Sequence, residues 1–432
     1  MAQTCQRELS GSNHQYRHNL AHILRDGRVA DWDPACNGPD VNAIAVSGRT
    51  VYVGGGFTSV GGQDRRYLAA LDAYTGRATT WNPWSSGGIT SLVVHRGTVL
   101  AGGAFDSIAG ARRQNLVAID AETGRATPWR MDAALQVDAL LLHGDTLFIG
   151  GRFPWIGGRS RLHLAAVDVD ADTLLPFDPA VAGVYSMFAP TPTVSALAFD
   201  GGELYVGGLF TGIGSAVRPG LAAIDVYTGL ATAWNPGSPR SWTRALAVHG
   251  NTVYAGGYFD SLGGAVRWGV GAVDRQTGRA AAWNPTANGP VEALAVAEGA
   301  IYAGGYVSSF GPQVRRNGLA ALDLISGAPT AWNPNPVGRT VFTVATSGGA
   351  VLAGGDFVSI GGQPRYGIAA VDTTTGAALD WHPDANGPIE TILVKDGTAY
   401  IGGSSPRLVP WIVATSRPSM SRPGPCPAGI RR

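Results

Sequence analysis

The chain has 432 residues, of which 45% are hydrophobic and 15% are charged, and its formal net charge is +1. This supply of apolar residues excludes a disordered chain, and the near-neutral charge gives no electrostatic basis for nucleic-acid binding. No run of 18 apolar residues occurs, so no transmembrane segment is expected.

The order of segments along the chain indicates one repeat domain between two short ends. Residues 1–16 match no repeat and are interpreted as an N-terminal strap. Residues 17–405 carry the repeat and are predicted to form a single domain, although the length alone would suit about three domains. Residues 406–432 are Pro-rich and irregular, and we interpret them as a tail.

Gly-Gly doublets mark the internal repeat. Neighbouring doublets are 48 to 57 residues apart, and each unit contains four short runs rich in β-formers that are separated by Gly, Pro and Asn. Four strands at this period are typical of a β-propeller blade. The doublets begin at Gly54, Gly102, Gly150, Gly207, Gly256, Gly304, Gly354 and Gly402.

The two ends of the repeat region are complementary half units. Residues 19–34 match the third and fourth strands of a repeat, and residues 389–403 match the first and second. Joining the halves adds one blade to seven whole blades. The sequence therefore predicts an all-β, eight-bladed β-propeller of four-stranded blades, with the last blade closed by the N- and C-terminal segments.

Three residue types recur at fixed positions in the units. A residue that is present in every blade is interpreted as part of the blade, with equivalent ligand pockets around the ring as the alternative. The Asp column is Asp72, Asp120, Asp225, Asp274 and Asp372. The aromatic column is Trp32, Trp81, Trp129, Phe177, Trp234, Trp283, Trp332 and Trp381. The Arg column is Arg65, Arg113, Arg161, Arg218, Arg267, Arg316 and Arg365.

The repeat pattern identifies a family resemblance. The sequence V-x-A-L-A-V…V-Y-x-G-G-x-F…G-G…R…L-A-A-L-D…T-G…W-N-P resembles bacterial extracellular β-propeller repeats of the delta-60-repeat kind, with a kelch-like strand order. The resemblance spans about residues 17–405. It implies the propeller fold and a secreted or cell-surface location, and it implies no particular activity.

A second resemblance is to the tryptophan-docking repeats of quinoprotein alcohol dehydrogenases, which are also eight-bladed. The run A-L-D at 70–72, followed by T-G at 75–76 and by Trp81, is similar to their motif. The interval from Asp to Trp is one residue longer in this chain, the adjacent Cys pair is missing, and no Ca²⁺-binding set of Glu, Asn and Asp matches. We therefore expect no cofactor, with a bound quinone as the alternative.

Familiar catalytic motifs are missing from the sequence. It contains no G-x-S-x-G, H-E-x-x-H, P-loop, G-x-G-x-x-G or EF-hand pattern. His95, His143 and His249 share one repeat position beside a hairpin turn and are interpreted as surface residues. The histidines between positions 14 and 22 have i, i+4 spacing, but residues 20–24 match a strand. No metal site is predicted.

Loops that depart from the repeat supply the candidate ligand-binding residues. The loop before each first strand usually reads W-N-P-x-A-N-G-P, and four consecutive loops, at 84–86, 130–132, 180–193 and 237–244, do not. Exposed aromatics with Arg on a loop are typical of binding surfaces, with neutral loop drift as the alternative. We predict stacking by the aromatic residues and orientation of an anionic or polar group by the arginines. The predicted residues are Tyr185, Phe188, Arg240, Trp242 and Arg244.

A ring of variable residues is predicted at the mouth of the central channel, on the face that carries these loops (the loop face). Among them, Asp138, Glu292 and Glu390 could accept hydrogen bonds from hydroxyl groups or hold a cation. They are also candidate catalytic residues, because two carboxyl groups about 5–10 Å apart can act as acid and base. A solvated channel rim is the alternative. The ring comprises Asn42, Thr90, Asp138, Ser195, Arg244, Glu292, Phe342 and Glu390.

Two hypotheses for function follow. The first is an exported binding or scaffold module that presents a protein or carbohydrate ligand site on the loop face at the channel mouth. The second is an enzyme that uses the same mouth, either a carbohydrate lyase or hydrolase or a quinoprotein-like oxidoreductase. The missing catalytic motifs favour the first. We expect a monomer that is extracellular or at the cell surface, although the sequence as written starts without a signal peptide.

The three cysteines lie near the ends of the chain. In an oxidising compartment we expect a disulfide between Cys5 and Cys36, which would fix the N-terminal segment. A bond between Cys5 and Cys426 is the first alternative, and three reduced thiols are the second.

Overall fold

The computed structural model describes residues 19–23, 34–183, 191–237, 241–297, 299–311, 314–381, 385 and 387–404. The regular secondary structure in these ranges is β-strand, as the alternation of short apolar runs with Gly and Pro predicts. No helix long and apolar enough to cross a membrane is found in this part of the chain.

The strands are numbered in chain order. Those before residue 137 are β1 (Leu20–Ile23), β2 (Val41–Ser47), β3 (Thr50–Gly55), β4 (Ser59–Val60), β5 (Gln63–Asp64), β6 (Leu68–Asp72), β7 (Ile89–His95), β8 (Thr98–Gly103), β9 (Ser107–Ile108), β10 (Ala111–Arg112) and β11 (Leu116–Asp120). The next are β12 (Val137–His143), β13 (Thr146–Gly151), β14 (Trp155–Ile156), β15 (Arg159–Ser160), β16 (Leu164–Asp168), β17 (Thr173–Leu174), β18 (Val181–Ala182), β19 (Thr193–Asp200), β20 (Glu203–Leu209), β21 (Gly212–Ile213), β22 (Ala216–Val217) and β23 (Leu221–Asp225). The remainder are β24 (Trp242–His249), β25 (Thr252–Tyr258), β26 (Ser261–Leu262), β27 (Ala265–Val266), β28 (Val270–Asp274), β29 (Val291–Ala297), β30 (Ala300–Gly305), β31 (Ser309–Phe310), β32 (Val314–Arg315), β33 (Leu319–Asp323), β34 (Val337–Ser347), β35 (Ala350–Ile360), β36 (Gln363–Pro364), β37 (Ile368–Asp372), β38 (Ile389–Lys395) and β39 (Thr398–Gly403).

Eight antiparallel sheets form the blades of a closed ring. Blades 1 to 7 are β2-β3-β6, β7-β8-β11, β12-β13-β16-β17, β19-β20-β23, β24-β25-β28, β29-β30-β33 and β34-β35-β37, and blade 8 is β38-β39-β1. The first strand of each blade contacts the first strand of the next, and β38 of blade 8 contacts β2 of blade 1. The first strands therefore surround a central channel, and the all-β propeller expected from the repeats is confirmed.

Blade 8 joins the two ends of the repeat region, as the half units predict. Its strand β1 pairs antiparallel with β39, from Leu20 opposite Gly402 to Ile23 opposite Ala399. Leu20 and Ala21 are fully buried against the neighbouring blades. The strap at 1–16 and the tail at 406–432 lie outside the described residues, so these domain limits stay predictions.

The fourth strand is shorter than the sequence predicts. Among the described residues it forms a regular ladder only in blade 3, where β17 pairs with β16. In blades 1, 2 and 4 to 7 it is reduced to one bridge, such as that between Leu71 and Ala78. The segment ends at an aromatic residue whose side chain reaches the next blade, as the Trp81 indole shows.

Close packing between blades depends on the first glycine of each doublet. A Cβ added to Gly54 would lie 2.6 Å from a methyl group of Ile89 in the next blade. The same approach recurs around the ring, and the facing residue is β-branched each time, so it keeps a fixed rotamer against the glycine. The facing residues are Ile89, Val137, Val194, Thr243, Val291, Val341, Ile389 and Val41.

The aromatic column links neighbouring blades. The Trp81 indole is buried, packs edge-on against Tyr52 at 5.2 Å, and donates a hydrogen bond of 2.8 Å to the backbone oxygen of Asp120 in the next blade. The Nε1 of Trp129 is the exception, because it is buried without a hydrogen-bond partner among the described residues. The equivalent bonds run from Trp234 to Asp274, from Trp283 to Asp323 and from Trp332 to Asp372.

The Arg and Asp columns hold single blades together. Arg65 donates from Nη2 to the backbone oxygen of Thr79, 2.8 Å away, and so ties the small β4-β5 hairpin to the fourth segment. Asp72 accepts hydrogen bonds from the backbone and hydroxyl of Thr75. The Arg49 guanidinium and these donors lower the pKa of Asp72 to about 2. These contacts agree with the structural interpretation of both columns.

Cys36 lies in the core between blades 8 and 1. Its side chain is fully buried, and this burial, together with the charge of Asp40, raises the pKa of the thiol. It forms no disulfide with another described residue. Cys5 and Cys426 lie outside the described residues, so the pairing stays a prediction.

Deleting residues 1–34 is expected to destabilise the whole ring. The deletion removes β1, leaves the edge of β39 unpaired and takes Leu20 out of the core. We expect the free energy of unfolding to fall by at least about 3 kcal/mol, measured by denaturant titration. Deletion of residues 1–16 alone, compared under reducing conditions so that the loss of Cys5 has no effect, is the control and should leave it near the wild-type value. Equal stability of both truncated chains would contradict the role of β1.

The two kinds of indole in the aromatic column can be compared directly. Trp283→Phe removes the indole donor of the Asp323 backbone oxygen, which keeps the N–H of Gly327 as its other donor, whereas Trp129→Phe removes an N–H that has no partner among the described residues. Both variants lose similar buried volume, so we expect Trp283→Phe to cost about 1 kcal/mol more stability than Trp129→Phe. Thermal or denaturant unfolding of the two variants measures this difference, and equal losses would contradict a role for the indole hydrogen bond.

Candidate functional site

The ring of variable residues is placed at the channel mouth by β-bulges. In blade 3, Val137 pairs with Gly151 and Ala139 with Gly150, so Asp138 has no partner in the ladder. A bulge re-aims the side chain of its extra residue. The same register shift surrounds every ring residue, namely Asn42, Thr90, Asp138, Ser195, Arg244, Glu292, Phe342 and Glu390.

Side chains of blades 3 to 8 enclose one cavity at the channel mouth. Its volume is about 430 Å³, within the range of small-ligand sites. Six of the eight ring residues line it, and Asn42 and Thr90 of blades 1 and 2 do not. The lining consists of Asp138, Arg152, Thr193, Ser195, Trp242, Arg244, Glu292, Phe342 and Glu390.

A layered aromatic and charged stack forms the side of the cavity in blades 5 and 6. The rings of Trp242 and Tyr258 stack at 5.9 Å, and the Arg244 guanidinium lies 4.8 Å from the Trp242 ring. Arg244 also donates from Nε to Glu292 at 3.0 Å. Burial and the nearby Glu292 carboxylate raise the pKa of Tyr258. The Trp242 Nε1 is buried and has no hydrogen-bond partner among the described residues.

Asp138 is the centre of a polar network in blades 3 and 4. Its carboxylate accepts hydrogen bonds from Thr193 at 3.0 Å and from Gln136 at 2.8 Å, and Arg152 lies 3.5 Å away. Burial raises the pKa of Asp138 despite these partners, because desolvation disfavours the charged form. The carboxyl group can therefore take up a proton at a higher pH than a free aspartate.

Glu390 completes the lining from blade 8. Its carboxylate accepts a hydrogen bond of 3.2 Å from the Ser404 hydroxyl, and no Arg or Lys of the described residues forms an ion pair with it. Burial, followed by the charge of Asp40, raises the pKa of Glu390. The cavity lining thus has three carboxyl groups and two guanidinium groups, and Glu390 is the carboxyl group without a cationic partner in the described part of the chain.

The structure brings together five of the eight predicted site residues. Asp138, Trp242, Arg244, Glu292 and Glu390 line the same cavity. Tyr185, Phe188 and Arg240 lie outside the described residues, and their place in the site stays a prediction.

Two lining residues, Arg152 and Thr193, were not predicted from the sequence. Arg152 directly follows the Gly150-Gly151 doublet, at a position that varies around the ring, with Gly56 in blade 1, Leu209 in blade 4 and Asp356 in blade 7. This variability, like that of the ring residues, was a usable signal. Thr193 directly precedes the anchor Val194 at the end of the inserted loop, the same repeat position that Trp242 occupies before Thr243.

A charged cluster joins blades 2 and 3 on the face opposite the loop face. The imidazole of His95 lies 3.0 Å from Asp170 and 3.5 Å from Asp145. Arg96 forms ion pairs with both carboxylates. The three donor groups are close enough together for a metal ion, but the Arg96 guanidinium already supplies a cation to both carboxylates. The cluster is accounted for as a contact between blades, and no metal site is assigned to it.

Solved structures with the same fold have low sequence identity to this chain. The computationally designed protein Ika8 is 15% identical over 87% of this chain and 98% of its own, with a TM-score of 0.57. Sqt1 of Saccharomyces cerevisiae is 11% identical over 91% of this chain and 98% of its own, with a TM-score of 0.54. BamB from Moraxella catarrhalis is 17% identical over 82% of this chain and 92% of its own, with a TM-score of 0.48. The first two likenesses show the fold alone.

One protein family matches the sequence itself. The profile of the family described as outer membrane protein assembly factor BamB matches residues 193–421, slightly more than half of the chain. No curated protein matches. The matched range includes blades 4 to 7 and four of the five described site residues, from Trp242 to Glu390.

The hydrogen bond from Thr193 should be visible in the titration of Asp138. We expect the carboxyl group of Asp138 to titrate above the usual range for aspartate, and Thr193→Val to raise its pKa further, because the hydroxyl stabilises the charged form. Carboxyl ¹³C chemical shifts against pH measure both values. Ser195→Ala is the control, since the Ser195 hydroxyl donates to the backbone oxygen of Thr243. An unchanged or lowered pKa in Thr193→Val would contradict this assignment.

Proposed function

Because this chain belongs to the β-propeller repeat family described as outer membrane protein assembly factor BamB, we propose that it is an exported, non-enzymatic binding or scaffold module. Its ligand site is the cavity at the channel mouth, and its ligand is a protein. The family description supports a protein partner and a location outside the cytoplasm. The repeat pattern supports the finer assignment to extracellular propellers of the delta-60-repeat kind with kelch-like strand order.

The main observation behind this proposal is that the blades are not equivalent at the channel mouth. The blade-building columns are nearly identical around the ring, whereas the six ring residues in the cavity are of five types that differ in charge and size, with only Glu occurring twice. A site for one ligand has to break the symmetry of the ring in this way. The stack of Tyr258, Trp242 and Arg244 is aromatic, carries a guanidinium group and is partly desolvated, as anchor residues of protein interfaces are.

The charges of the cavity favour a basic or hydroxyl-bearing group on the partner. Asp138 is near Arg152, and Glu292 is paired with Arg244, so these charges are largely compensated. Glu390 has no such partner among the described residues and faces the same cavity. A Lys, Arg or hydroxyl side chain of the partner would pair with Glu390, and an acceptor on the partner would satisfy the Trp242 indole N–H.

Catalysis at the same cavity is the second candidate function. It is favoured by one observation, that burial raises the pKa of two carboxyl groups, Asp138 and Glu390, in one cavity. Such groups exchange protons with a substrate at a higher pH than free carboxyl groups do, and a pair of carboxyl groups serves as acid and base in carbohydrate lyases and hydrolases. A carbohydrate would then occupy the place of the protein partner.

Trp242→Ala is expected to release the partner. The partner is first identified as the protein that the wild type retains in affinity purification from the producing organism. Its affinity for the wild type and for the variant is then measured with purified components. We expect Trp242→Ala to weaken this affinity by about 30-fold, which corresponds to about 2 kcal/mol for an anchor residue. Trp268→Ala is the matched control, because this tryptophan is 53% exposed and does not line the cavity.

Glu390→Gln separates binding from catalysis. A binding module should keep its partner within about tenfold in this variant and should turn over no carbohydrate in either form. Turnover of a carbohydrate by the wild type that is abolished in Glu390→Gln would favour the enzyme instead. Equal loss of the partner in Trp242→Ala and Trp268→Ala would contradict the channel mouth as the site.

A further inference from the structure

The last described residue, Ser404, lies beside the channel mouth. It directly follows the last Gly doublet, and its N–H donates to the backbone oxygen of Pro388 at 3.0 Å. Its hydroxyl donates to the carboxylate of Glu390, which lines the cavity, at 3.2 Å. Arg152, at the equivalent position of blade 3, lines the same cavity. The residues that follow Ser404 therefore start from the rim of the cavity.

The route that the chain takes after this position in the other blades is closed in blade 8. In blades 1 to 7 the second residue after the doublet is a buried Phe or Val, such as Phe57, just before the small hairpin. Blade 8 has Ser405 at this position, followed by Pro406. The outer edge of β39, where a third strand would pair, is already taken by β1. The segment after Ser404 can therefore neither bury this apolar anchor nor add the third strand of its own blade.

The tail (406–432) complements the charge of the cavity. Glu390 is accessible to solvent and forms no ion pair with a described residue, whereas the other two carboxylates of the lining are already close to an arginine. The tail contains no Asp or Glu and five arginines, namely Arg407, Arg417, Arg422, Arg431 and Arg432. The uncompensated carboxylate thus lies where a basic segment begins.

Arg407 is the arginine that starts nearest to Glu390. It lies three residues after Ser404, so its Cα is at most about 11 Å from that of Ser404. Because Ser404 contacts Glu390, a short turn of chain brings the guanidinium to the carboxylate. Pro406 and Pro410 stand on either side of Arg407 and restrict the backbone, so less conformational entropy is lost when this segment is held in one place.

The residues next to Arg407 complement an apolar part of the cavity. Leu408, Val409 and Trp411 are apolar. Phe342 of blade 7 lines the cavity beside blade 8 and is 37% exposed. Packing Leu408 or Trp411 on this ring would remove apolar surface from water on both sides. The segment therefore matches both the charge and the apolar surface that blades 7 and 8 present to the cavity.

We propose that residues 405–411 occupy the channel mouth and that Arg407 pairs with Glu390. The cavity, of about 430 Å³, takes these few residues and not the whole tail. This inference rests on the proposed function, because it makes the segment an intramolecular competitor at the same ligand site. The segment supplies the kind of group that the partner is expected to present, so the partner has to displace it before binding.

Cross-linking in the full-length chain tests where the segment lies. With Leu408→p-benzoylphenylalanine, ultraviolet light should link the segment to peptides that contain Glu292, Phe342 or Glu390, identified by mass spectrometry of the monomer. We expect Arg407→Gln in the same chain to lower this yield about threefold, as for a partly exposed ion pair, and Arg417→Gln to leave it unchanged. Links to the outer surface of blade 8 or blade 1, with equal yields in both variants, would overturn the proposal.

The titration of Glu390 tests the ion pair separately. We expect Arg407→Gln to raise the pKa of the Glu390 carboxyl group, because a neighbouring cation stabilises the charged form. Carboxyl ¹³C chemical shifts against pH measure this pKa in the full-length chain. Arg417→Gln is the matched control, since it removes the same charge farther along the tail and should not change the pKa. Equal pKa values of Glu390 in the wild type and in Arg407→Gln would show that the pair does not form.

The inference and the proposed function can fail independently. The cross-links and the titration need no partner, so they decide the place of the segment even if the affinity purification returns none. A segment that occupies the mouth about nine-tenths of the time would weaken partner binding about tenfold, so Arg407→Gln should bind a purified partner more tightly by this factor. Equal affinities would contradict the competition. A partner lost in Trp242→Ala, together with cross-links away from the mouth, would support the proposed function and overturn this inference.

Discussion

The contact between a glycine of one blade and a β-branched residue of the next is the constraint on which the ring depends. Because Gly54 and its equivalents have no side chain, the methyl groups of Ile89 and its equivalents fit against the second strand of the preceding blade. This contact sets the distance between blades. The residue after each β-branched anchor is the bulged one, so the anchor also determines which side chain points into the channel mouth. Packing and site are therefore coupled at adjacent positions.

Much of the fold could be predicted from the sequence because each blade packs against its neighbours through the same contacts. The glycine doublets, the Trp that donates to the next blade and the Arg that binds the fourth segment all recur for this reason. The ring of residues at the channel mouth could be predicted for the opposite reason, namely that its residues vary within a regular repeat. Positions such as Asp138, Glu292 and Glu390 vary while their neighbours do not, and the structure places these three in one cavity.

The rest of the site depends on information that a repeat alignment lacks. Thr193 and Trp242 share the repeat position directly before the β-branched anchor, yet the residues at this position in the other blades do not line the cavity. The stacking of Trp242 on Tyr258 depends on a cross-strand pairing.

Blade 8 has a consequence for the order in which the protein folds. Leu20 pairs with Gly402, so the closing strands are separated by almost the whole repeat region. The entropic cost of closing so long a loop grows only slowly with its length, so the separation hardly affects the final stability. The separation does affect when the ring can close. During synthesis the first seven blades can assemble one after another, but the ring stays an open arc until β38 and β39 have emerged. The ring therefore closes only after the chain has been synthesised through its final repeat.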